Sequence, residues 1–425
     1  MATVLALFLL VGALSACGQA SGGGKQTAAD NTPAELVFYS TSADSEDSFN
    51  QRFGDPLRKK FPNFTIKYIQ KATGTTLPEL MAAGTQFDIY FDSIGNYMDG
   101  LNYNFQFDMT DLIREHKVDL NRFEPSVIDA IKQISGGKIY GLPVFTNNMI
   151  TYYNKDIFDR FGVPYPKDGM TWDEMLEIAR RLDRTDSGKN FYGLAVSQSH
   201  ILRLNPFSAP FVDPKTNKAV LETDKWKMLV DKFTTIHQIP GNVCRGSAEA
   251  TDFKAGKIAM AGINGGLVTE LEEMAKQGPI VNWDLATYPQ FPEAPGLRRR
   301  MDVSLLMLSS SSKHPDDVFR VMQAVSAREE HLKRTRLGRM STLKDPELKK
   351  DFAVDLTVTK GRNMQAIFKT NASAVPPFTK YNGPANSALE QAVKDVLNGA
   401  DINSALRKAN ERANQEIDAM IEGGL

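Results

Sequence analysis

From residue 34 onward the chain alternates two kinds of hydrophobic pattern. Residues 35–40 (Glu-Leu-Val-Phe-Tyr-Ser) form a short, nearly continuous apolar run of strand type, and residues 64–69 form a second one with period-two alternation. Residues 87–91 (Phe-Asp-Ile-Tyr-Phe) form a third. Between them, Phe49, Phe53 and Leu57 recur at i, i+4 and i+8, the spacing of one helix face, and Leu77, Leu80 and Met81 outline a short second helix. Strands separated by helices need right-handed crossovers, which predicts an α/β fold with a mainly parallel sheet flanked by helices.

The pattern continues downstream. A glycine turn at Ser135-Gly136-Gly137 leads into the apolar residues 138–144, and residues 149–153 form another strand. Thr171-Trp172-Asp173-Glu174 opens a helix with a capping box, in which Thr171 caps and Glu174 reaches back. Met175, Leu176, Ala179 and Leu182 give that helix one apolar face, so Trp172 is assigned to packing rather than to a ligand platform. Residues 301–309 form a strongly apolar strand, followed by Pro315 at a first helical position with Asp316 and Asp317 in the first turn. The tail from Asp401 is an amphipathic helix with Ile402, Ala405, Leu406, Ala409, Ala413, Ile417 and Met420 on one side, ended by Gly423-Gly424.

The most specific local signal precedes all of this. Residues 4–14 are an almost unbroken apolar run of 11 residues, well short of the ~20 needed to span a bilayer. That length suits the apolar core of a secretory signal. The run ends in Leu14-Ser15-Ala16-Cys17, which resembles the lipobox of bacterial lipoproteins. The resemblance implies cleavage before Cys17, a diacylglycerol thioether on its sulfur, further acylation such as palmitate, and attachment to the outer face of the cell membrane. A Gly/Ser/Gln/Ala tether follows, here taken as residues 18–33. No Lys or Arg stands ahead of the apolar run in Met1-Ala2-Thr3, so the natural start is expected upstream or the signal is a weak one.

Composition excludes several function classes. Lysine plus arginine number 50 and aspartate plus glutamate 51, a net charge of −1, so nothing favours nucleic acid or a basic membrane-adsorbing surface. Two cysteines, Cys17 and Cys244, make no disulfide framework, and Cys244 is read as a packed structural thiol. The five histidines are scattered, and no H-E-x-x-H, G-x-S-x-G or P-loop is present. No cofactor or metal is expected. A secreted hydrolase working with paired carboxylates is the first competing reading, although no acidic constellation stands out. A binding subunit of a sensory system is the second.

Four segments carry a resemblance. They are residues 137–143 (Gly-Lys-Ile-Tyr-Gly-Leu-Pro) running on through Tyr152-Tyr153-Asn154-Lys155-Asp156-Ile157-Phe158 to Thr171-Trp172-Asp173-Glu174; residues 252–260 leading to Asn264-Gly265-Gly266; residues 283–289; and residues 396–401 with the closing helix. Together, in this order, they are similar to the extracellular solute-binding proteins of bacterial ABC importers, the family that includes maltose-binding protein. The resemblance implies two α/β lobes of the type II periplasmic-binding-protein kind, joined by a multi-stranded hinge. One lobe is expected from residues 34–146 and 303–335, the other from 147–302 and 336–425. It also implies a monomer that holds a carbohydrate, expected to be an oligosaccharide, and passes it to importer permeases without chemistry.

In such lobes the ligand lies beyond the C-terminal ends of the strands. The residues expected there are Tyr39, Thr41, Asp44, Asp92, Ser93, Asn147, Asn148, Asn264, Gly265, Tyr381 and Asn382, whose amides, hydroxyls and carboxylates can pair with vicinal hydroxyls. Asp92 has the strongest claim, as a carboxylate just past a buried strand. Asp44 can equally cap a helix, Asn147 and Asn148 can equally serve the first hinge crossing, and Gly265 can equally permit a turn. By the same resemblance an aromatic platform belongs after Asn264-Gly265-Gly266, where this chain has Leu267, so a stacking ring is expected from Tyr39, Tyr97, Phe207 or Tyr381. The run Arg298-Arg299-Arg300 is expected to be a solvated loop near a hinge crossing, with contact to an anionic ligand such as a uronic acid as the alternative.

Overall fold

The computed structural model describes residues 33–42, 44–96, 103–239, 242 and 249–423. The signal segment, Cys17, nearly all of the tether, Tyr97, Cys244 and Gly424 lie outside them. In chain order the strands are β1 (Ala34–Ser40), β2 (Phe64–Gln70), β3 (Ile89–Ser93), β4 (Gly141–Thr146), β5 (Met149–Asn154), β6 (Arg184–Asp186), β7 (Lys189–Ala195), β8 (Val212–Asp213), β9 (Lys218–Ala219), β10 (Ile258–Asn264), β11 (Trp283–Ala286), β12 (Leu297–Arg300), β13 (Val303–Leu308) and β14 (Asn371–Ser373).

Two five-stranded sheets organise the chain, in the orders β2-β1-β3-β13-β4 and β11-β5-β10-β7-β6. In the first, β1 runs parallel to both β2 and β3, and β13 is antiparallel to β3 and β4. In the second, β5 is antiparallel to β10 and β11, while β7 runs parallel to β10. The reversals have a simple cause. Strands β5 and β13 each arrive from the other sheet, so they start at the edge where their neighbours end: Met149 pairs with Asn264, and Ser304 with Ser93. Every residue of β4, β5 and β13 is buried. Both faces of each sheet are therefore covered, as the nearly continuous apolar sequence requires.

The chain crosses between the sheets at 147–148, immediately between β4 and β5, and again at 287–302, between β11 and β13. The two crossings are bonded to one another, Asn147 N–H donating to Asp302 O at 2.8 Å, and the end of β4 is bonded to the later segment around residue 340, Thr146 N–H donating to Met340 O at 2.9 Å. The short parallel pair β12–β14 lies beside them. The first core takes its residues from both faces of the first sheet and the helices Pro125–Ile134 and Pro315–Val325. The second sheet carries the helices Trp172–Leu182, Asp224–His237, Asn382–Leu397 and Ile402–Glu422 on one face and residues 352–367 on the other.

Local expectations are met at the caps. Thr171 N–H donates to Glu174 Oε2 at 2.7 Å and Glu174 N–H to Thr171 Oγ1 at 3.3 Å, with Trp172 buried in the second core. Three details differ. Met81 is exposed, because the helix Leu77–Ala82 covers the sheet with Leu77 and Leu80 alone. The helical stretch after Ser45 contains a wider π turn, Asn50–Gly54, in which Asp55 N–H bonds back to Asn50 O. Leu343, Leu348 and Val375 pack in the first core, beyond the boundary expected at residue 335, because the chain returns across that lobe before joining the second.

Candidate functional site

Each wall of the candidate site is a set of strand ends. The ends of β1, β3 and β4 face the end of β10 and the segment after β7, and the crossings close the bottom. Between them is a polar cavity of about 300 Å³, at the small end of ordinary ligand sites. Ser42, Asp44, Arg52, Ser93, Asn96 and Phe145 contribute from the first sheet's side. Ser199, His200, Arg203 and Asn264 face them from the second, with Asn147, Arg299, Asp302 and Arg339 at the crossings.

Of the residues expected from sequence, Asp44, Ser93, Asn147 and Asn264 line this cavity. Asp44 does not cap the first helix, a role taken by Ser45. It forms a 2.6 Å ion pair with Arg52, and its carbonyl accepts from Tyr68 Oη at 2.9 Å. Asn382 lines an adjoining recess with Arg203, Arg300 and Lys380.

The others have different places. Asp92 is only 1% exposed and points into the loops, not the cavity. Its oxygens accept from Thr41 N–H (3.1 Å), Thr41 Oγ1, Ser42 Oγ (2.8 Å), Ser93 N–H (2.8 Å) and Asn96 Nδ2 (2.9 Å). Burial pushes its carboxyl up from the usual value while these donors oppose the rise. Asp92 is thus the structural clasp of two loops that carry cavity residues, and Thr41 is one of its donors. Tyr39 belongs to the first core, against Phe87 and Tyr90, because β1 is covered on both faces. Tyr381 packs in the second core at the start of the helix Asn382–Leu397. Gly265 serves backbone geometry: its carbonyl accepts from Tyr152 Oη at 3.0 Å, and a Cβ there would run into Ile367. Asn148 fastens the crossings, accepting from Arg298 Nη2 at 2.7 Å and contacting Met340 Sδ.

The arginine run is the largest departure from expectation. Residues 297–300 form β12, and Arg298 and Arg299 are 6% and 2% exposed. Buried backbone and amide oxygens draw them in. Arg298 reaches Thr370 O and Asn148 Oδ1, while Arg299 reaches Asn147 O at 2.9 Å, Asn264 Oδ1 at 2.8 Å and Asp302 Oδ2 at 3.4 Å. Burial lowers the Arg298 and Arg300 guanidinium pKa values to about 10, which leaves both charged near neutrality.

Sequence reasoning missed Arg52, His200, Arg203, Asp302, Arg339, Phe91 and Phe145 as cavity residues. No motif marks them, because they come from six separate stretches of the chain, only His200 and Arg203 sharing one. None of the expected stacking rings within the described residues lines the cavity. Phe207 packs on Phe291 instead, at 4.9 Å between ring centroids, and Leu267 is buried in the core under the second sheet. The rings that do reach it are covered by cations, Phe91 by Arg52 at 5.4 Å and Phe145 by Arg339 at 5.5 Å.

Two α/β lobes whose strand ends face each other across a polar cavity, over short crossings, make up the type II periplasmic-binding-protein fold. An ABC substrate-binding protein from Listeria monocytogenes, in complex with cycloalternan, has this fold with a TM-score of 0.72 at 21% identity, over 91% of this chain and 99% of its own. A solute-binding protein from Thermotoga lettingae bound with α-D-tagatose superposes with a TM-score of 0.71 at 18% identity, over 91% of this chain and 100% of its own. In sequence, residues 41–330 match the model of the bacterial extracellular solute-binding protein family. The chain belongs to that family, whose members are binding proteins rather than enzymes. A mannitol-binding protein of Pseudomonas aeruginosa is 26% identical over 263 residues, 56% of this chain and 57% of that protein. The chain thus spans a little over half the length of the curated relatives it matches.

Proposed function

We propose that this protein is an extracellular solute-binding protein, anchored through a lipid on Cys17, that takes a carbohydrate between its lobes and delivers it to an ABC importer. The observation that carries the reading is the polar cavity walled by both sheets above chain crossings that can act as a hinge. Ligand contacts made from both walls exist together only when the lobes are closed, so binding shifts the population toward the closed form that a permease can recognise. Micromolar affinity needs about −8 kcal/mol, within reach of a handful of hydrogen bonds in a preformed site. A sugar or polyol as ligand is supported by the mannitol-binding relative and by the cycloalternan and tagatose in the similar structures. An oligosaccharide is favoured by the recess that continues from the cavity past Arg203. Binding without turnover is supported by the acids that line the cavity: Asp44 and Asp302 are each engaged by an arginine, Arg52 and Arg299.

The test is calorimetry of residues 18–425 against monosaccharides, polyols and oligosaccharides, with chromatography of the recovered ligand and solution scattering with and without it. The expected result is one class of tight ligand, recovered intact, with a smaller radius of gyration when bound. Turnover of the ligand, or the absence of any carbohydrate ligand, overturns the reading. For the anchor, Cys17→Ser is expected to release the mature protein from the membrane fraction, and retention there would refute it.

A further inference from the structure

The charges around the cavity do not balance. Among the described residues lining it are four guanidinium groups, on Arg52, Arg203, Arg299 and Arg339, and two carboxylates, on Asp44 and Asp302. Both carboxylates are taken: Asp44 by Arg52 at 2.6 Å, and Asp302 by Arg299 at 3.4 Å and by Asn147 Nδ2 at 3.3 Å. Among the described residues Arg203 has a single 3.4 Å contact, to Asn96 Oδ1, and its buried Nε meets no acceptor. Arg339 lies over the Phe145 ring, with no carboxylate in ion-pair contact among the described residues, Glu270 and Asp44 acting on it only from a distance. The adjoining recess adds Arg300 and Lys380 beside Arg203, again with no described acidic residue in its lining. Asp92, behind the wall, is occupied by its loop donors. His200 does not add to the positive charge, since burial holds its imidazole down to a pKa of about 3.

Like charges gathered in a poorly solvated cleft repel one another, and an incoming oxyanion relieves that repulsion. Guanidinium groups are suited to the task because their paired N–H donors match carboxylate and phosphate oxygens. The cavity also lacks a feature suited to a neutral sugar, since the faces of Phe91 and Phe145 are already covered by Arg52 and Arg339. We infer that the ligand is an acidic carbohydrate, a polyhydroxylated body bearing a carboxylate or phosphate ester, whose oxyanion is received by Arg203 and Arg339. This rests on the carbohydrate-binding reading above and narrows it.

The experiment compares matched ligands by calorimetry on residues 18–425. One arm uses glucuronate, galacturonate and mannuronate oligomers against their neutral methyl esters. The other uses hexose phosphates against the free hexoses. The expected result is at least tenfold tighter binding of the acidic member in one arm, and the arm that responds identifies the oxyanion. Arg203→Gln and Arg339→Gln are each expected to weaken the acidic ligand roughly 10- to 100-fold and its neutral counterpart less than about threefold. The wild-type comparison stands even if a variant fails to fold. Neutral members that bind as tightly as the acidic ones overturn the inference and leave the carbohydrate reading intact. Equal losses for both members in the variants overturn the assignment to these arginines. Silence of the whole panel removes the parent reading and this one together.

Discussion

Arg299 is the side chain on which the three parts of the crossing region converge, and Arg299→Met tests that role while keeping most of the volume. The guanidinium donates to Asn147 O in the first crossing, to Asn264 Oδ1 at the end of β10, and lies 3.4 Å from Asp302 in the second crossing. Each hydrogen bond from a charged donor is worth about 1.5–3 kcal/mol. Removing one member of a buried ion pair costs about 3–5 kcal/mol. These overlap, because Asp302 keeps Gly95 N–H and Asn147 Nδ2 as donors, so the expected total is about 3–5 kcal/mol rather than their sum. The assay is urea unfolding with two probes. All three tryptophans, Trp172, Trp226 and Trp283, are buried around the second sheet, so their fluorescence follows that lobe alone, whereas circular dichroism follows both. A crossing residue should lower the midpoint in both probes. The cycle with Asp302→Asn should show a coupling of about 0.5–3 kcal/mol. A loss below about 1 kcal/mol, or a shift confined to one probe, would refute the convergence argument.

Four other sites give further expected outcomes. His200 has a folded pKa of about 3 against an ordinary 6.5, so the unfolded chain binds the extra proton between those values. Stability should therefore fall as pH drops from 6.5 toward 3, with a slope of up to about 1.4 kcal/mol per pH unit from this group, and His200→Gln should flatten that limb in denaturation curves at pH 4, 5 and 7. Asp92→Ala leaves several buried loop donors without an acceptor and should cost roughly 3–5 kcal/mol of stability, seen by thermal unfolding; an unchanged melting temperature with lost ligand affinity would return Asp92 to the cavity. A Cβ at Gly193 would stand 2.6 Å from the Ala179 carbonyl carbon in the helix Trp172–Leu182, so Gly193→Ala should destabilise by roughly 2–3 kcal/mol. Gly383→Ala, in open space, should stay within about 0.5 kcal/mol.

What could be read from sequence was local. The Thr171–Glu174 capping box, Pro315 at the start of its helix and the apolar runs that became β1, β2 and β13 are set by neighbours within a few residues, and each forms as its pattern indicates. Tyr39 shows where that logic stops. Side-chain alternation tells which residues share a face, but when helices cover both faces neither parity points to a ligand. The strand end was the right region and the ring was in the core.

The arginines make the stronger case. Read locally, Arg298-Arg299-Arg300 is a polar run and belongs in solvent. Its burial depends on oxygens supplied by Asn147, Asn148, Asn264, Asp302 and Thr370, residues up to 152 positions away. The cavity cations follow the same rule, since Arg52, Arg203, Arg299 and Arg339 each come from a different segment and meet only at the facing strand ends. A net charge of −1 for the whole chain conceals them. Charge balance over 425 residues constrains solubility and long-range steering. What a cleft selects depends on the sign of the few groups facing it, and here four guanidinium groups face two carboxylates among the described lining residues.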